Sequence, residues 1–251
     1  MTRFAGRVAV VTGAGSGLGR ATASMLANEG ARVAVLDVAA DAAEKVAAEV
    51  GERGGAARAY ALDVREPAQV RAAVARVGEE VGPPDVLVNA AGIGGFAHSE
   101  EESFEQWSRI IAVNLTGTFT CVQAAVPDMV AAGWGRIVTI ASSSAQSGAP
   151  NMTHYTASKG GVIALTKSLA VELARQGITA NTIPPSLVDT PMARGAEASG
   201  YFPGVDVVAP MVPVGRAGTP ADIAATCSFL CSEAAGYVTG QVIGVNGGMY
   251  I

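Results

Sequence analysis

The chain has 251 residues, 49% hydrophobic but only 5% aromatic, so its core is expected to be large and built from Ala, Val, Leu and Ile rather than from rings. Its 17 basic and 22 acidic side chains leave a formal net charge of -5 with no basic stripe, which excludes nucleic acid as an expected partner. The apolar run that follows Arg3 and Arg7 is too short for a secretory core, and no run approaches the ~20 apolar residues of a membrane helix; no leader and no membrane partner are expected, and the protein is read as cytoplasmic.

Short Val-, Ala- and Leu-rich runs without alternation predict strands at 7–12, 31–37, 57–62, 85–89, 136–141, 178–183 and 241–245. Runs apolar on both faces suit a parallel sheet covered on both sides. Helical periodicity between them predicts helices at 18–28, 40–52, 67–81, 103–132, 153–176 and 220–231. Strand alternating with helix implies right-handed βαβ units: an α/β fold, one doubly wound Rossmann-type domain over 1–251 with a seven-stranded, mostly parallel sheet flanked by helices. Residues 184–219, dense in proline and poor in periodic apolar positions, break the pattern; following the sixth strand, they are expected to lie over the carboxyl ends of the strands as a substrate lid.

Directly after the first strand stands Thr12-Gly13-Ala14-Gly15-Ser16-Gly17-Leu18-Gly19, then a helix. Glycines there permit a tight turn, close backbone approach to a pyrophosphate and close helix–strand packing, and the helix start offers unpaired N–H groups to the anion. A plain surface turn is the alternative for such a run alone. The second strand, however, ends at Asp37, where a carboxylate would meet the adenosine ribose, and this favours NAD as the cofactor. Cys121, Cys227 and Cys231 are odd in number with no Cys-x-x-Cys pair, so neither a disulfide framework nor a metal is expected.

In Tyr155-Thr156-Ala157-Ser158-Lys159 the Tyr and Lys are one helical turn apart. A phenol with an ordinary pKa near ~10 is a poor base at neutral pH, and a neighbouring ammonium favours its ionised form.

With these motifs the chain resembles the short-chain dehydrogenase/reductase family, from Arg7 to Gly248. The resemblance implies that Gly13, Ser16, Gly17, Leu18, Gly19 and Asp37 bind the cofactor. It adds the adenine-contacting pair Asp63-Val64, and Asn89, Ala90 and Gly92 in Asn89-Ala90-Ala91-Gly92, where Ala90 replaces a second Asn. At the nicotinamide end it adds Pro185, Val188 and Thr190. Asn114 corresponds to the family residue that helps hold a water beside the lysine. Ser142, thirteen residues before Tyr155, corresponds to the substrate-orienting serine, and Ser143 and Ser144 follow it. Asn114, Ser142, Tyr155 and Lys159 form the implied catalytic set, with Tyr155 and Lys159 also touching the cofactor. Pro185-Ser186 stands where the family has Pro-Gly, which questions the local backbone if positive φ is needed.

The implied activity is hydride transfer between nicotinamide and an alcohol or ketone. Leu187, Met192, Tyr201, Phe202, Val207, Val208, Met211 and Val212 in the lid, with Arg194 as the candidate cation, predict a neutral, largely apolar substrate. The alternatives are a ketoacyl-thioester (acyl-carrier) reductase and a nucleotide-sensing scaffold without turnover; the second is disfavoured by the intact Ser142, Tyr155 and Lys159. Helices 103–132 and 153–176, apolar over more than one face, invite subunit packing, and the family resemblance implies a homotetramer.

Overall fold

In the computed structural model, which describes residues 2–251, six of the apolar runs become β1 (Val8–Thr12), β2 (Arg32–Asp37), β3 (Ala56–Ala61), β4 (Val86–Asn89), β5 (Gly135–Ile140) and β6 (Ile178–Ile183). All pairings are parallel, in the order β3-β2-β1-β4-β5-β6. This is the doubly wound order whose ligand crevice opens where the winding reverses, between β1 and β4. Thr12 pairs with Asn89 there, so both strands end at one level.

The helices are α1 (Gly17–Asn28), α2 (Ala40–Glu52), α3 (Pro67–Glu80), α4 (Phe104–Ile111), α5 (Gly117–Ala132), α6 (Ser144–Ser147), α7 (Thr153–Leu173), α8 (Pro191–Ala196), α9 (Val205–Val208) and α10 (Pro220–Cys231). Alternation along each strand divides the core into two layers. Ala9, Val11, Val33 and Val88 face α1, α2 and α10, whereas Val8, Val10, Leu36 and Leu87 face α3, α5 and α7. Cys227 and Cys231 are packed in the first layer and Cys121 in the second. Burial alone pushes the Cys121 thiol up to about 12.

Two expectations need correction. The run 241–245 passes beside β6 without forming a seventh strand: only Thr182↔Val242 and Pro185↔Val245 bridge. Thr182 donates to the Gln241 carbonyl at 2.9 Å and accepts from Ile243 at 2.8 Å, but the next donor in the ladder would be Pro184, which has no N–H. On the other side the Thr239 hydroxyl replaces a strand carbonyl, accepting from Ala180 N–H at 3.1 Å.

The single helix expected over 103–132 is also interrupted. A wide π-turn, Ala112–Thr116, separates α4 from α5 and is centred on Asn114. Within Phe104–Ala132 an 18-residue window reaches a mean hydropathy of 1.4, apolar enough by that measure alone to cross a membrane, but Cys121, Val122, Ala125 and Met129 pack the stretch on the sheet. Phe104, Trp107 and Phe119 remain exposed.

Asn181 ties the C-terminal run to β6: its fully buried amide donates to the Val238 carbonyl at 2.7 Å and accepts from Gln241 N–H at 3.1 Å. Asn181→Ala leaves both groups unpaired, at about 1–3 kcal/mol each. Urea unfolding should therefore show a loss of about 2–4 kcal/mol with faster amide exchange across 238–245; a loss under about 0.5 kcal/mol would mean that other contacts hold the run.

Candidate active site

Thr12 closes the crevice from one side. Its hydroxyl accepts the N–H groups of Ala90 and Ala91 at 3.2 and 3.1 Å. Gly13 follows in the left-handed region (φ 62°), and a Cβ there would lie 2.7 Å from Ala91 backbone atoms. At Gly19 a Cβ would fall 2.2 Å from the Gly13 carbonyl, so this helix can approach the turn only with glycine.

Ser16 is the N-cap of α1 but makes no side-chain cap bond, and no acid occupies the first turn. The N–H groups starting at Gly17 are therefore free to meet an anion. Asp37 spans the turn: Oδ2 accepts Gly15 N–H at 2.8 Å and Oδ1 accepts Ala39 N–H at 2.9 Å. Arg32, at the other end of β2, donates to the Val81 and Gly6 carbonyls. Asn89, at the end of β4, is buried, and neither polar atom of its side chain has a partner among the described residues, an orphan amide beside the crevice. These features fit a dinucleotide.

Asp63 is turned the other way. Both carboxylate oxygens bond the Arg65 guanidinium, which holds the Asp63 carboxyl below the usual carboxylate range. Any adenine contact from Asp63-Val64 is left to the backbone and to Val64, which is buried under α5.

Four sequence-predicted residues converge beyond Gly92. Asn114 Oδ1 accepts Ile93 N–H at 2.9 Å, and Nδ2 donates to the Ile93 carbonyl and to Ser158 Oγ, each at 3.0 Å. The side chain thus grips the turn after β4. A methyl built on Gly92 would stand 3.3 Å from both Asn114 Oδ1 and Lys159 Nζ. Lys159, buried in α7, donates to the Ile140 carbonyl at the end of β5 at 2.8 Å.

Ser142 Oγ accepts from Ser144 N–H at 3.2 Å and Ser144 Oγ at 2.9 Å, leaving its own proton free. Of the three serines, Ser142 is the one that acts on the Tyr155 phenol. Burial raises the phenol's pKa, and Ser142 opposes this by stabilising the phenolate. Lys159 Nζ lies 5.8 Å from the centroid of the Tyr155 ring, and burial draws the lysine itself down to about 8.

The lid region contains α8, capped by the Thr190 hydroxyl through Ala193 N–H (3.2 Å), and the short α9. Ser186 is not among the positive-φ residues, so the glycine usual in the family is not required. Pro185 accepts Ser143 N–H at 2.9 Å, and Val188 bridges Gly218. Arg194 is held by Asp189 and Asp206 at 2.8 and 2.7 Å and so is already neutralised. A cavity of about 410 Å³ opens beside Gly92, lined by Ile93, Gly94, Gln106, Arg109, Ile110 and Met192. Gln106, Arg109 and Phe96, which stacks on Tyr201 at 6.0 Å, were missed in the sequence, since no motif or spacing marks them.

A family model described as enoyl-(acyl carrier protein) reductase matches residues 13–250. The D-threitol dehydrogenase of Mycolicibacterium smegmatis is 41% identical over 99% of this chain and 95% of its own length. The chain belongs to the short-chain dehydrogenase/reductase family. Cyclohexanol dehydrogenase from an Acinetobacter strain is 39% identical over 98% of the chain and 95% of the relative. A crystal structure of a Burkholderia cenocepacia gluconate 5-dehydrogenase, in complex with NADP and tartrate, superposes with a TM-score of 0.92 at 36% identity, covering 99% of this chain and 97% of that one. The protein is thus an oxidoreductase of this family, which works with a nicotinamide cofactor.

Burial of Lys159 has a thermodynamic signature. The unfolded chain keeps this proton to about 10.5 while the folded chain releases it near 8, so between those values the unfolded state binds more protons and stability rises with pH. In Lys159→Met this rise disappears. The unfolding free-energy difference between variant and wild type should change by roughly 2–3 kcal/mol from pH 7 to pH 10, in favour of wild type at high pH. A difference independent of pH would show that Lys159 does not titrate in this window.

Proposed function

We propose that this chain interconverts a neutral, largely apolar secondary alcohol and its ketone using NAD(H). The observation that carries the reading is the convergence of Ser142, Tyr155 and Lys159 at the end of β5, beside the glycine turn and Asp37. The nicotinamide, when bound, supplies or accepts the hydride. Ser142 holds the substrate oxygen, and Tyr155 donates its proton to the developing alkoxide or takes one from the alcohol. Burial keeps Tyr155 protonated at neutral pH, ready for reduction; for oxidation the Lys159 ammonium, charged below about 8, favours the phenolate. Asn114 acts by fixing Ile93 and Ser158 around this centre.

In this reading Gly13, Ser16, Gly17, Leu18 and Gly19 receive the pyrophosphate, Asp37 the adenosine ribose, and Asp63 and Val64 flank adenine. Asn89, Ala90, Gly92, Pro185, Val188 and Thr190 line the nicotinamide side, where Lys159 also reaches the ribose. The names of the threitol and cyclohexanol dehydrogenases support an alcohol substrate. The neutralised Arg194 supports an uncharged one, with Arg109 exposed to solvent at the cavity wall.

A panel of secondary alcohols, ketones, an aldonate and a 3-oxoacyl thioester, followed by NADH absorbance, tests the substrate class. Neutral apolar members should be turned over best, and Tyr155→Phe should retain under about 1% of kcat while binding NADH as wild type does. Best turnover on a multiply charged acid or on the thioester would overturn the substrate reading.

The preference for NAD is read from this chain's own residues, since the gluconate dehydrogenase is complexed with NADP. Among the described residues Asp37 has no cationic partner, while Arg20 is engaged by Glu49 and Arg65 by Asp63. A 2′-phosphate would meet the Asp37 carboxylate at close range, a repulsion of several kcal/mol reduced by relaxation and salt to about 2–4 kcal/mol. NAD should therefore be favoured roughly 30- to 1000-fold in kcat/KM, with a relative gain for NADP in Asp37→Ala. Equal use of the two by wild type refutes the preference.

Exposed Phe104, Trp107 and Phe119 on α4 and α5 are where a homotetramer would pack. Light scattering should report about four chains of 25.2 kDa; a monomer contradicts this.

A further inference from the structure

Next to the site lies a buried polar cluster that the reaction does not use. His154, immediately before Tyr155, is fully buried, and neither ring nitrogen has a hydrogen-bond partner among the described residues. Glu102, its side chain 7% exposed, places Oε1 3.4 Å from His154 Nδ1, and Oε1 also lacks a hydrogen-bond partner. Its other oxygen, Oε2, accepts the Thr153 hydroxyl. Buried polar groups without partners are rare in folded chains, and a buried carboxylate persists only beside a compensating group.

We infer that Glu102 and His154 form a buried clamp that positions Tyr155, by docking the far end of the loop that follows β4 onto the first turn of α7. The inference rests on the proposed role of Tyr155. Helix α7 does not cap itself, since Met152 at its N-cap makes no side-chain bond. Glu102 provides from another element the negative charge that a helix start favours. A further tie falls in the same short stretch: Ala97 N–H donates to the Asn151 carbonyl at 2.9 Å, and Asn151 is the one non-glycine at positive φ among the described residues. Gly95 leaves room for the imidazole, since a Cβ there would sit 2.9 Å from Nε2.

The loop is therefore held at both ends. Asn114 grips Ile93 near its start, where Gly92, Ile93 and Gly94 form the cavity wall, and Glu102 and His154 grip its finish. Releasing the second grip frees the first turn of α7, which carries the phenol opposite Ser142. Glu102 and His154 touch no reacting atom; they are positioning residues.

Glu102→Gln, His154→Gln, Thr153→Val and Thr153→Ser test this in the full chain. Each is assayed with the best alcohol of the panel, by NADH fluorescence titration and by amide exchange. The first three should lose tenfold or more in kcat with the Kd for NADH within twofold of wild type. In the same three, exchange should accelerate at least tenfold across 92–103 and 151–158 together, while the strands are unaffected. Thr153→Ser, which keeps the hydroxyl, should behave as wild type. The clamp is overturned if kcat stays within twofold of wild type in the first three variants, or if exchange quickens evenly over the whole sheet, the mark of a merely structural role. Thr153→Val guards against a failure to fold, since it removes a single hydroxyl. If wild type turns over no panel member, the proposed function fails while the exchange measurement still decides whether the clamp exists.

Discussion

The contact on which the site depends is the approach of the Gly13 backbone to the Ala90–Ala91 peptide, with the Thr12 hydroxyl drawing both N–H groups inward. It joins the ends of β1 and β4, where the winding of the sheet reverses and no strand lies across the opening. From that contact the glycine turn is held on one side, and the Asn89 to Gly92 turn on the other. Gly92 then leaves a gap into which Asn114 and Lys159 both reach. A larger residue at Gly13 would separate the β1 and β4 turns, and one at Gly19 would push α1 off the turn that precedes it.

Burial does the electrostatic work around Tyr155. Desolvation moves the phenol and the ammonium in opposite directions, each toward its neutral form, because both lie where water is excluded. The Ile140 carbonyl anchors the ammonium, and the doubly accepting Ser142 keeps its own proton free for the phenol. Between residues 184 and 219 the opposite arrangement holds: Arg194 is exposed and surrounded by carboxylates, so its charge is cancelled locally and adds little to stability.

Much of this was legible in the residue order. Helix α10 and strand β6 fall where periodicity and apolar runs predict them, and Asp37 ends β2 beside the glycine turn as its spacing implies. The seventh strand failed for a local reason, Pro184, whose missing donor outweighs the apolar character of 241–245. The π-turn at Asn114 was invisible because one extra residue in a turn barely disturbs a helical period. Glu102 and His154 are 52 positions apart on different elements, and only folding brings them together. The Asp63–Arg65 pair shows the opposite difficulty: the spacing is local, but which way the carboxylate turns depends on its neighbour's conformation.

The three cysteines lie inside the layers on either side of the sheet, with Cys227 as well as Cys121 pushed up to about 12 and Cys231 raised well above its ordinary value by burial and then by its neighbour Cys227. Thiolate, the form that attacks alkylating reagents and disulfides, is therefore almost absent from the folded chain at neutral pH. Such reagents reach these sulfurs only when a layer opens, so the rate of labelling becomes a clock for opening of the core. Cys121 would time the face covered by α5, and Cys227 with Cys231 the face covered by α10.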